Sequence, residues 1–239
     1  MRSPYGFEII ESCQSCSQKK TGFFCDLPPS AAQAFDAIKL TNAYPDGSVL
    51  FAEGDEPRGV FILCRGRVKL SVTSGDGKTL ILRIAGPGEV LGLHGVISAK
   101  PFQATAETLE PCQINYVRRE DFLRFLRERA EASLDAAREL SYSYQVACEQ
   151  VRSLGLANSA PAKLAGFLLD WAAKGSPAKE GTRVTLTLTH EEIGQMVGLS
   201  RETVTRTFGE FKHRQLVSVK GATLVIQNKP ALEQFAGAS

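Results

Sequence analysis

Apolar residues are spaced differently in successive parts of the chain, and each spacing predicts a different kind of structure. Residues 1–30 are mostly polar and end near Pro28-Pro29. Residues 31–118 contain short apolar runs separated by glycines, for example VFILC at 60–64. Many short strands with turn residues between them are typical of an antiparallel β sandwich or barrel. Between two of these runs, the segment SGDGK at 74–78 predicts a hairpin turn.

Residues 119–154 contain neither proline nor glycine, and their apolar residues recur every three or four positions, which predicts one long helix that ends at Gly155. A helical pattern longer than ~25 residues without caps is typical of a coiled coil. The stripe, which includes Leu123, Leu126 and Leu154, therefore predicts a dimer seam. Packing of the stripe on the β domain of the same chain is the alternative. The predicted seam residues are Ala130, Ala137, Leu140, Tyr144, Ala147 and Val151.

Residues 156–239 have the mixed pattern of a compact α/β unit. An apolar helix is predicted over 161–174 and a strand over 183–189. Two short helices follow, and then a hairpin over 216–226 that turns at Lys220-Gly221.

Between this strand and this hairpin, two capped helices are predicted on either side of a glycine turn. Thr189 and Glu192 have the spacing of a capping box, so the first helix begins there. Gly198 can adopt the positive φ of a tight turn, and Ser200 can cap the second helix. The second helix has apolar residues at steps of four and three, which predict its buried face. They are Val204, Phe208 and Phe211.

The opposite face of the second helix carries polar residues that can read DNA bases. In the first two turns after Ser200, this face carries Arg201, Glu202, Thr205 and Arg206. Arginine binds guanine O6 and N7, glutamate accepts from the cytosine amino group, and threonine offers a hydroxyl and a methyl group. A solvated salt-bridge face is the alternative for such residues. The two capped helices and the hairpin wing favour DNA recognition over that alternative.

The composition limits both the cell compartment and the class of protein that we expect. The net charge of +2 and the 43% apolar residues are those of an ordinary soluble globular protein. No apolar run approaches the ~18–20 residues of a membrane helix and no secretory signal is recognisable, so we expect a cytoplasmic protein. In a reducing cytoplasm, clustered cysteines indicate a metal or redox site rather than structural disulfides. The three scattered histidines fit no catalytic motif, so we expect no enzyme activity.

The segment HEEIGQMVGLSRETVTRTFGEFKHRQLVSVKGATLVI at 190–226 resembles the winged helix-turn-helix of the CRP/FNR family of bacterial transcription regulators. Residues 51–92 resemble the cyclic-nucleotide-type β-roll of that family, and 119–154 resemble its dimerisation helix. Residues 1–30 are similar to the N-terminal arm in the subset of members that carry a cysteine cluster.

The resemblance implies an α+β fold and a DNA-binding function. The implied parts are a cysteine-bearing arm at 1–30, a β-roll sensor domain at 31–118, a dimerisation helix at 119–155 and a winged helix-turn-helix domain at 156–239. It also implies a homodimer that binds a palindromic operator in double-stranded DNA and contacts RNA polymerase. In the family, the residues matching Arg201, Glu202 and Arg206 read the operator half-site. Arg201 matches the CRP type and Thr205 is close to the FNR type, so the half-site sequence stays open.

The resemblance argues against cyclic AMP as the ligand. Members that bind cyclic AMP hold its phosphate with an Arg-Ser pair that follows a segment containing glycine and glutamate. Here that segment, GEVLGLHG at 88–95, keeps Glu89, but Phe102 and Gln103 stand at the matching place of the pair. Without a cation and a hydroxyl, the charge-assisted bonds to an anionic phosphate are missing.

The N-terminal cysteines are then the best remaining site for a signal such as oxygen, redox state or nitric oxide. In cluster-bearing members, three ligands of a [4Fe–4S] cluster lie in the arm and the fourth lies in the β-roll. By resemblance, the four ligands are Cys13, Cys16, Cys25 and Cys112. Eight residues instead of the usual five separate the second cysteine from the third, which lengthens the loop.

The residues alone leave other uses of the cysteines open. Four thiolates also suit a zinc ion, and free thiols can act as a thiol–disulfide switch. The cysteines can also be the vestige of a lost site, and the regulator can respond to another small effector. A thiol oxidoreductase using Cys13 and Cys16 is the alternative from a different class, although the βαβ context typical of that motif is missing. The remaining cysteines, Cys64 and Cys148, are predicted to be small buried hydrophobic residues.

Overall fold

The computed structural model describes residues 3–16, 22–156, 159–173, 176–178 and 181–237. The chain forms two compact units, residues 1–146 and 147–239. Within the described ranges, no helix is both long enough and apolar enough to cross a membrane.

The first unit contains an antiparallel β-roll made of two four-stranded sheets. Its strands are β1 (Lys39–Tyr44), β2 (Val49–Phe51), β3 (Gly59–Arg65), β4 (Val68–Thr73), β5 (Thr79–Ala85), β6 (Val90–Leu91), β7 (Thr105–Thr108) and β8 (Cys112–Arg118). One sheet has the order β1-β8-β3-β6 and the other has the order β2-β7-β4-β5. The predicted hairpin turn joins β4 to β5, where the N–H of Ser74 donates to the carbonyl of Lys78. The antiparallel β fold predicted from the short apolar runs is therefore confirmed.

Strand β3 is buried on both faces, which explains why its sequence is a continuous apolar run. Phe61 and Leu63 point between the two sheets, where they pack in a core with residues of the second sheet such as Phe51. Val60 and Ile62 belong to a second core on the outer face of the β1-β8-β3-β6 sheet, which helices and the N-terminal arm cover. We call this outer face the arm face.

The helices that begin in the first unit differ from the predicted pattern in two ways. They are α1 (Pro29–Asp36), α2 (Leu93–Ser98), α3 (Arg119–Glu128) and α4 (Ala130–Leu156). The region predicted as one helix is two, because Arg129 is extended, with φ −132° and ψ 99°. The hydroxyl of Ser133 donates to the carbonyl of Leu126 at 2.6 Å and satisfies one carbonyl at the end of α3. α4 also continues through Gly155, where the prediction ended it.

The second unit packs helices against a small antiparallel sheet. Its elements are α5 (Ala160–Ala172), β9 (Ser176–Ala178), β10 (Gly181–Thr185), α6 (His190–Val197), α7 (Arg201–His213), β11 (Val217–Lys220), β12 (Thr223–Ile226) and α8 (Lys229–Gly237). The sheet order is β11-β12-β10-β9, and the predicted hairpin is β11–β12 with Gly221 at φ +59°. β10 is shorter at its end than predicted, because the following residues lead to the helix cap at Thr189. The sequence did not predict α8, whose Phe235 packs on Phe211 with ring centroids 5.3 Å apart.

Candidate DNA-binding interface and cysteine site

Helices α6 and α7 form the predicted pair on either side of a glycine turn. The hydroxyl of Thr189 accepts from the N–H of Glu192, and the carboxylate of Glu192 accepts from the N–H of Thr189. Gly198 has φ +67° at the turn. The hydroxyl of Ser200 accepts from the N–H of Thr203 and caps α7. Side-chain caps therefore begin both helices where the sequence indicated.

Helix α7 buries one face and exposes the other, as predicted. Val204, Phe208 and Phe211 are buried. The exposed residues are Arg201, Glu202, Thr205 and Arg206. The positive end of the helix dipole adds to the charge of two guanidinium groups there, which favours an anionic partner. This face has the charge and the hydrogen-bonding groups that a DNA major groove requires.

The carboxylate of Glu202 is held at the start of α7. Hydrogen bonds from its own backbone N–H and from the hydroxyl of Ser200, together with the charge of Arg201, lower the pKa of Glu202. The ionised carboxylate only accepts hydrogen bonds, so both of its oxygens suit a base amino group.

His190, the first residue of α6, contacts this face, and no local signal in the sequence indicates this contact. Its Nδ1 lies 2.8 Å from the hydroxyl of Thr205, and its ring stacks on Phe208 with centroids 5.1 Å apart. The Thr205 hydroxyl donates to the carbonyl of Arg201, so Nδ1 of His190 is the donor to Thr205. Partial burial and the charges of Lys212 and Arg201 lower the pKa of His190, which favours the neutral ring.

The first part of the N-terminal arm is held on the arm face by polar contacts. The side-chain amide of Gln113 on β8 accepts from the N–H of Ile10 at 2.9 Å and donates to its carbonyl at 2.7 Å. The carboxylate of Asp36 accepts from the Ser12 hydroxyl at 2.8 Å and from the Cys13 N–H at 3.0 Å. These contacts fix the backbone on which Cys13 stands.

The second part of the arm is held by packing. Phe24 is buried, and its ring lies against Phe35 of α1 and Phe122 of α3. Gly22 approaches Gly88 so closely that a Cβ added at Gly22 would lie 2.0 Å from the Gly88 carbonyl oxygen. The position of Cys25, one residue after Phe24, is therefore set by a buried aromatic side chain.

Four cysteines line one small cavity between the arm and the arm face. They are Cys13, Cys16, Cys25 and Cys64. The other walls are the apolar side chains of Phe24, Phe35 and Ile62, together with Gly88 and Asn115. None of the six cysteines, all of which are described, forms a disulfide. Across the described ranges, no group of three or more His, Cys, Asp or Glu side chains is arranged so that it could hold a metal ion.

Lys39 supplies a positive charge at the edge of this cavity. Its Nζ lies 3.3 Å from Sγ of Cys13 and 2.7 Å from the carboxylate of Asp36, and its side chain is only 4% exposed. Burial raises the pKa of Cys13 to about 11 although Lys39 opposes the shift. Burial and the neighbouring thiols of Cys13 and Cys25 raise the pKa of Cys64 to about 12. The thiols of Cys13 and Cys64 are therefore protonated near neutral pH, and a bound cation would favour their thiolates.

The structure places the other two cysteines differently from the sequence-based expectation. Cys112 is not at the cavity with the three arm cysteines. It is fully buried between the two sheets, where its Sγ donates to the carbonyl of Glu110 at 3.1 Å. Cys148, predicted to be buried, is exposed because it lies on the outward face of α4.

The segment that resembles a nucleotide pocket is engaged in contacts within the roll. The Glu89 carboxylate pairs with Arg83 and accepts from the N–H of Gly86 at 2.7 Å. Phe102 is buried and stacks on Phe51 with ring centroids 4.0 Å apart. Phe51 and Phe102 also line a separate open cavity of about 780 Å³ that has no cysteine in its walls.

Glu139 is a buried acidic residue on the inward face of α4. Its side-chain Oε1 has no hydrogen-bond partner among the described residues, and the residue is 1% exposed. Burial and the charge of Glu89 raise the pKa of Glu139 to about 7, while Arg83 opposes the shift.

The outward face of α4 exposes seven residues at alternating steps of four and three. We call this set the seam face, and its members are Ala130, Leu134, Ala137, Ser141, Tyr144, Cys148 and Val151. Ala147, which was also predicted, is exposed beside it. Leu140 instead packs on the core of the first unit, because it follows the inward-facing Ala132 and Ala136 at helical spacing. Alternating steps of three and four are the spacing of a coiled-coil seam.

In a comparison with known protein families, one range in each unit matches a known domain. Residues 41–129 match the cyclic nucleotide-binding domain, and residues 162–235 match the Crp-like helix-turn-helix domain. The CRP-like cAMP-activated global transcriptional regulator of Mycobacterium tuberculosis is 28% identical over 218 residues, which cover 91% of this chain and 97% of that protein. The cAMP-activated global transcriptional regulator CRP of Pasteurella multocida is 27% identical over 184 residues, covering 77% and 88%.

Solved structures share the fold. FixK2 from Bradyrhizobium japonicum superimposes with a TM-score of 0.73 at 20% identity, covering 84% of this chain and 99% of that one. A mutant of CooA from Carboxydothermus hydrogenoformans gives a TM-score of 0.73 at 23% identity, covering 84% and 89%. A β-roll followed by a winged helix-turn-helix defines a DNA-binding transcription regulator. The chain belongs to the CRP/FNR family of these regulators.

Proposed function

We propose that this protein is a homodimeric, sequence-specific transcription regulator that senses oxygen, redox state or nitric oxide through its N-terminal cysteines. The observation that carries the proposal is the cavity in which Cys13, Cys16 and Cys25 meet the arm face. Cysteine thiolates hold iron–sulfur clusters, and such a cluster supplies a group that reacts with oxidants. The buried Phe24 and Phe35 limit the access of water to these thiols, and Lys39 offsets their negative charge.

Helix α4 offers a route from the cysteine site to DNA. Cys13 and Phe24 pack in the same core as Ala132 and Ala136 of α4, so a change at the cavity alters the support of this helix. The end of the same helix contacts α6, where the side-chain amide of Gln150 donates to the carbonyl of Met196 at 2.7 Å. The state of the cysteines thus biases the seam of the dimer or the presentation of α7.

The seam face supports dimerisation through α4. Its seven residues pair with those of a second copy in a parallel coiled coil, and such a dimer is two-fold symmetric. Two copies of α7 then enter successive major grooves, and the half-sites lie about one helical turn apart, at ~34 Å. A palindromic operator in double-stranded DNA follows from this symmetry.

The residues proposed to contact DNA lie at the start of α7. Arg201 and Arg206 offer bidentate donors to guanine, and Glu202 accepts from a cytosine amino group. Thr205, held by His190, contacts a base or a phosphate, and Ser200 begins the helix. RNA polymerase is the expected partner of the DNA-bound dimer, which acts in the cytoplasm.

Cyclic AMP is not the signal in this proposal, although the Mycobacterium tuberculosis relative is named as cAMP-activated. Supporting this, Phe102 stacks on Phe51 at the place where a phosphate-binding arginine is expected, and Glu89 is paired with Arg83. A calorimetric titration with cyclic AMP should therefore show no saturable binding. Saturable binding at micromolar cyclic AMP would overturn this part of the proposal.

A zinc ion or a thiol–disulfide switch is the second use of the same cysteines. The grouping of the thiols in one cavity is compatible with a zinc ion, with a thiol–disulfide switch and with a cluster. Iron, sulfide and zinc analysis of protein purified without oxygen separates the three. A visible thiolate-to-iron absorption that disappears in air supports the cluster, one zinc per chain supports the other metal, and the absence of metal supports the switch.

The experiment for the whole proposal is selection of binding sites from random DNA, followed by gel shifts with and without oxygen. We expect a palindromic motif, and an affinity whose logarithm falls with log salt by about 0.9 per phosphate contact. Air or nitric oxide should change the affinity for the selected site. An affinity that is identical in all gas conditions would contradict sensing and would leave DNA recognition intact.

A further inference from the structure

The fourth cysteine at the cavity is Cys64, although the family resemblance places the fourth ligand at Cys112. The three arm cysteines and Cys64 line the same cavity, and Cys112 does not. The arrangement of strands β3 and β8 explains the difference.

Side chains of a strand alternate between its two faces. On β8, Gln113 and Asn115 face the arm, because Gln113 bonds Ile10 and the Asn115 amide lies 3.9 Å from Sγ of Cys13. Cys112 is one residue away from Gln113 and therefore points to the opposite face, between the two sheets.

On β3 the same alternation favours Cys64. Val60 and Ile62 lie on the arm face, whereas Phe61 and Leu63 lie between the sheets. Cys64 is two residues after Ile62, so the alternation places it on the arm face with Val60 and Ile62. The pairing of β3 with β8 is irregular between Leu63 and Arg65, and a bulge of this kind redirects the side chains around it.

Cys112 has no route to the arm cysteines without disruption of the roll. Its Sγ donates to the carbonyls of Glu110 and Arg67. The backbone of the neighbouring Gly66 is so close that an added Cβ would lie 2.5 Å from Sγ. A thiolate from Cys112 would have to pass through the sheet to which its own strand belongs.

We propose that Cys64 is the fourth protein ligand of a [4Fe–4S] cluster held by Cys13, Cys16 and Cys25, and that Cys112 is not a ligand. The assignment rests on the proposed function. Four cysteines line this one cavity, and four thiolates are the usual protein ligands of a [4Fe–4S] cluster. Lys39 and Asn115 lie within hydrogen-bonding reach of Sγ of Cys13, and bonds to the sulfur ligands are typical of cluster sites.

The first test is anaerobic reconstitution of the full-length chain with iron(II) and sulfide. The wild type, Cys64→Ser and Cys112→Ala are compared by iron and sulfide content, visible absorption and far-UV circular dichroism. We expect Cys64→Ser to lose the bound iron and the absorption, while Cys112→Ala keeps both. Retention by Cys64→Ser, or loss by a folded Cys112→Ala, would overturn the assignment and leave the sensing function standing.

A second measurement needs no variant, so it does not depend on how the variants fold. Reconstituted and metal-free wild type are alkylated under native conditions, and the labelled cysteines are identified by mass spectrometry. We expect the cluster to protect Cys13, Cys16, Cys25 and Cys64 from alkylation, whereas the buried Cys112 resists it in both forms. Labelling of Cys64 at the metal-free rate in cluster-loaded protein would overturn the assignment. A wild type that takes up neither iron nor sulfide would instead overturn the proposed cluster function itself.

Discussion

Arg206 lies on the exposed face of α7, one turn after Glu202. Replacement by alanine removes two donors that can bind guanine and leaves the buried face of the helix unchanged. We expect Arg206→Ala to weaken operator binding by about 1–3 kcal/mol and to relax the preference at one base pair. Gel-shift titrations on the selected operator and on its single-base variants measure both effects.

The matched control for this substitution is Arg127→Ala. Arg127 is an exposed arginine of α3, outside the winged helix-turn-helix, so its removal changes the net charge by the same amount. Equal losses of affinity in the two variants, or an unchanged base preference in Arg206→Ala, would contradict base reading by Arg206.

Glu139 makes the stability of the first unit depend on pH. Burial and the charge of Glu89 raise its pKa from 4.5 to about 7, against the effect of Arg83. Above that pKa the folded unit contains a buried charge that the unfolded chain holds in water, so the fold is less stable. The free energy of unfolding therefore rises as the pH falls from about 7 towards 4.5, where the unfolded chain is protonated too.

Replacement of Glu139 by glutamine should remove this contribution to the pH dependence. We expect Glu139→Gln to raise the free energy of unfolding by about 1–3 kcal/mol near pH 8 and to have little effect near pH 5. Urea unfolding across this range measures the difference, with the exposed Glu128→Gln of α3 as the control. Parallel pH profiles for the wild type and Glu139→Gln would show that another group causes the dependence.

The residue-level features that the sequence predicted depend on neighbours within one or two helical turns. The capping box at Thr189, the cap at Ser200 and the buried face of α7 are of this kind. The contact between His190 and Thr205, and the meeting of Cys64 with the arm, depend on how separate elements pack. A single sequence has no local signal for such contacts.

At the level of elements, the docking of the arm depends on the contact between Gly22 and Gly88. Gly22 is extended, with φ −162°, so alanine causes no backbone strain and only the added Cβ collides. We expect Gly22→Ala to lift the arm, to speed alkylation of Cys64 and to cost about 1–3 kcal/mol of stability. Timed thiol labelling with mass spectrometry follows Cys64 directly.

Gly75→Ala is the control for arm docking. Gly75 lies in the hairpin between β4 and β5, and an added Cβ there meets no atom within 4 Å. It should leave the labelling of Cys64 at the wild-type rate. If Gly22→Ala also labels at that rate, the close approach to Gly88 does not hold the arm in place.

Among the elements, regular patterns were predictable and interruptions were not. The roll, the two capped helices and the wing each follow a periodic pattern bounded by turn residues. The break at Arg129 leaves the three- and four-residue spacing in phase on both sides, so the pattern could not reveal it. The face of the roll that the arm covers was equally hidden, because the arm has no periodic pattern of its own.

For the whole molecule, dimerisation through the seam face predicts that a single substitution in this face weakens both the dimer and its binding to the operator. Tyr144 lies in the middle of the seam face, and a dimer would bring two copies of residue 144 together. We expect Tyr144→Asp to weaken dimerisation about tenfold or more and to weaken operator binding with it. Sedimentation equilibrium measures the first effect, and gel shifts measure the second.

Tyr142→Asp is a control of the same chemistry on the same helix. Tyr142 is exposed but lies outside the three- and four-residue spacing of the seam face. It should remain dimeric at concentrations at which Tyr144→Asp is monomeric. Equal dissociation of the two variants would place the dimer contact elsewhere.

The buried position of Cys112 gives the β-roll an intrinsic probe of its own opening. Its side chain is sealed between the two sheets, so an alkylating reagent reaches it only when they separate. When alkylation is faster than reclosing of the roll, the rate of Cys112 modification equals the rate at which the roll opens. When alkylation is slower than reclosing, the rate of Cys112 modification is proportional to the fraction of molecules in which the roll is open. The kinetic stability of the β-roll can thus be followed in the intact protein, with and without DNA, and needs no engineered cysteine.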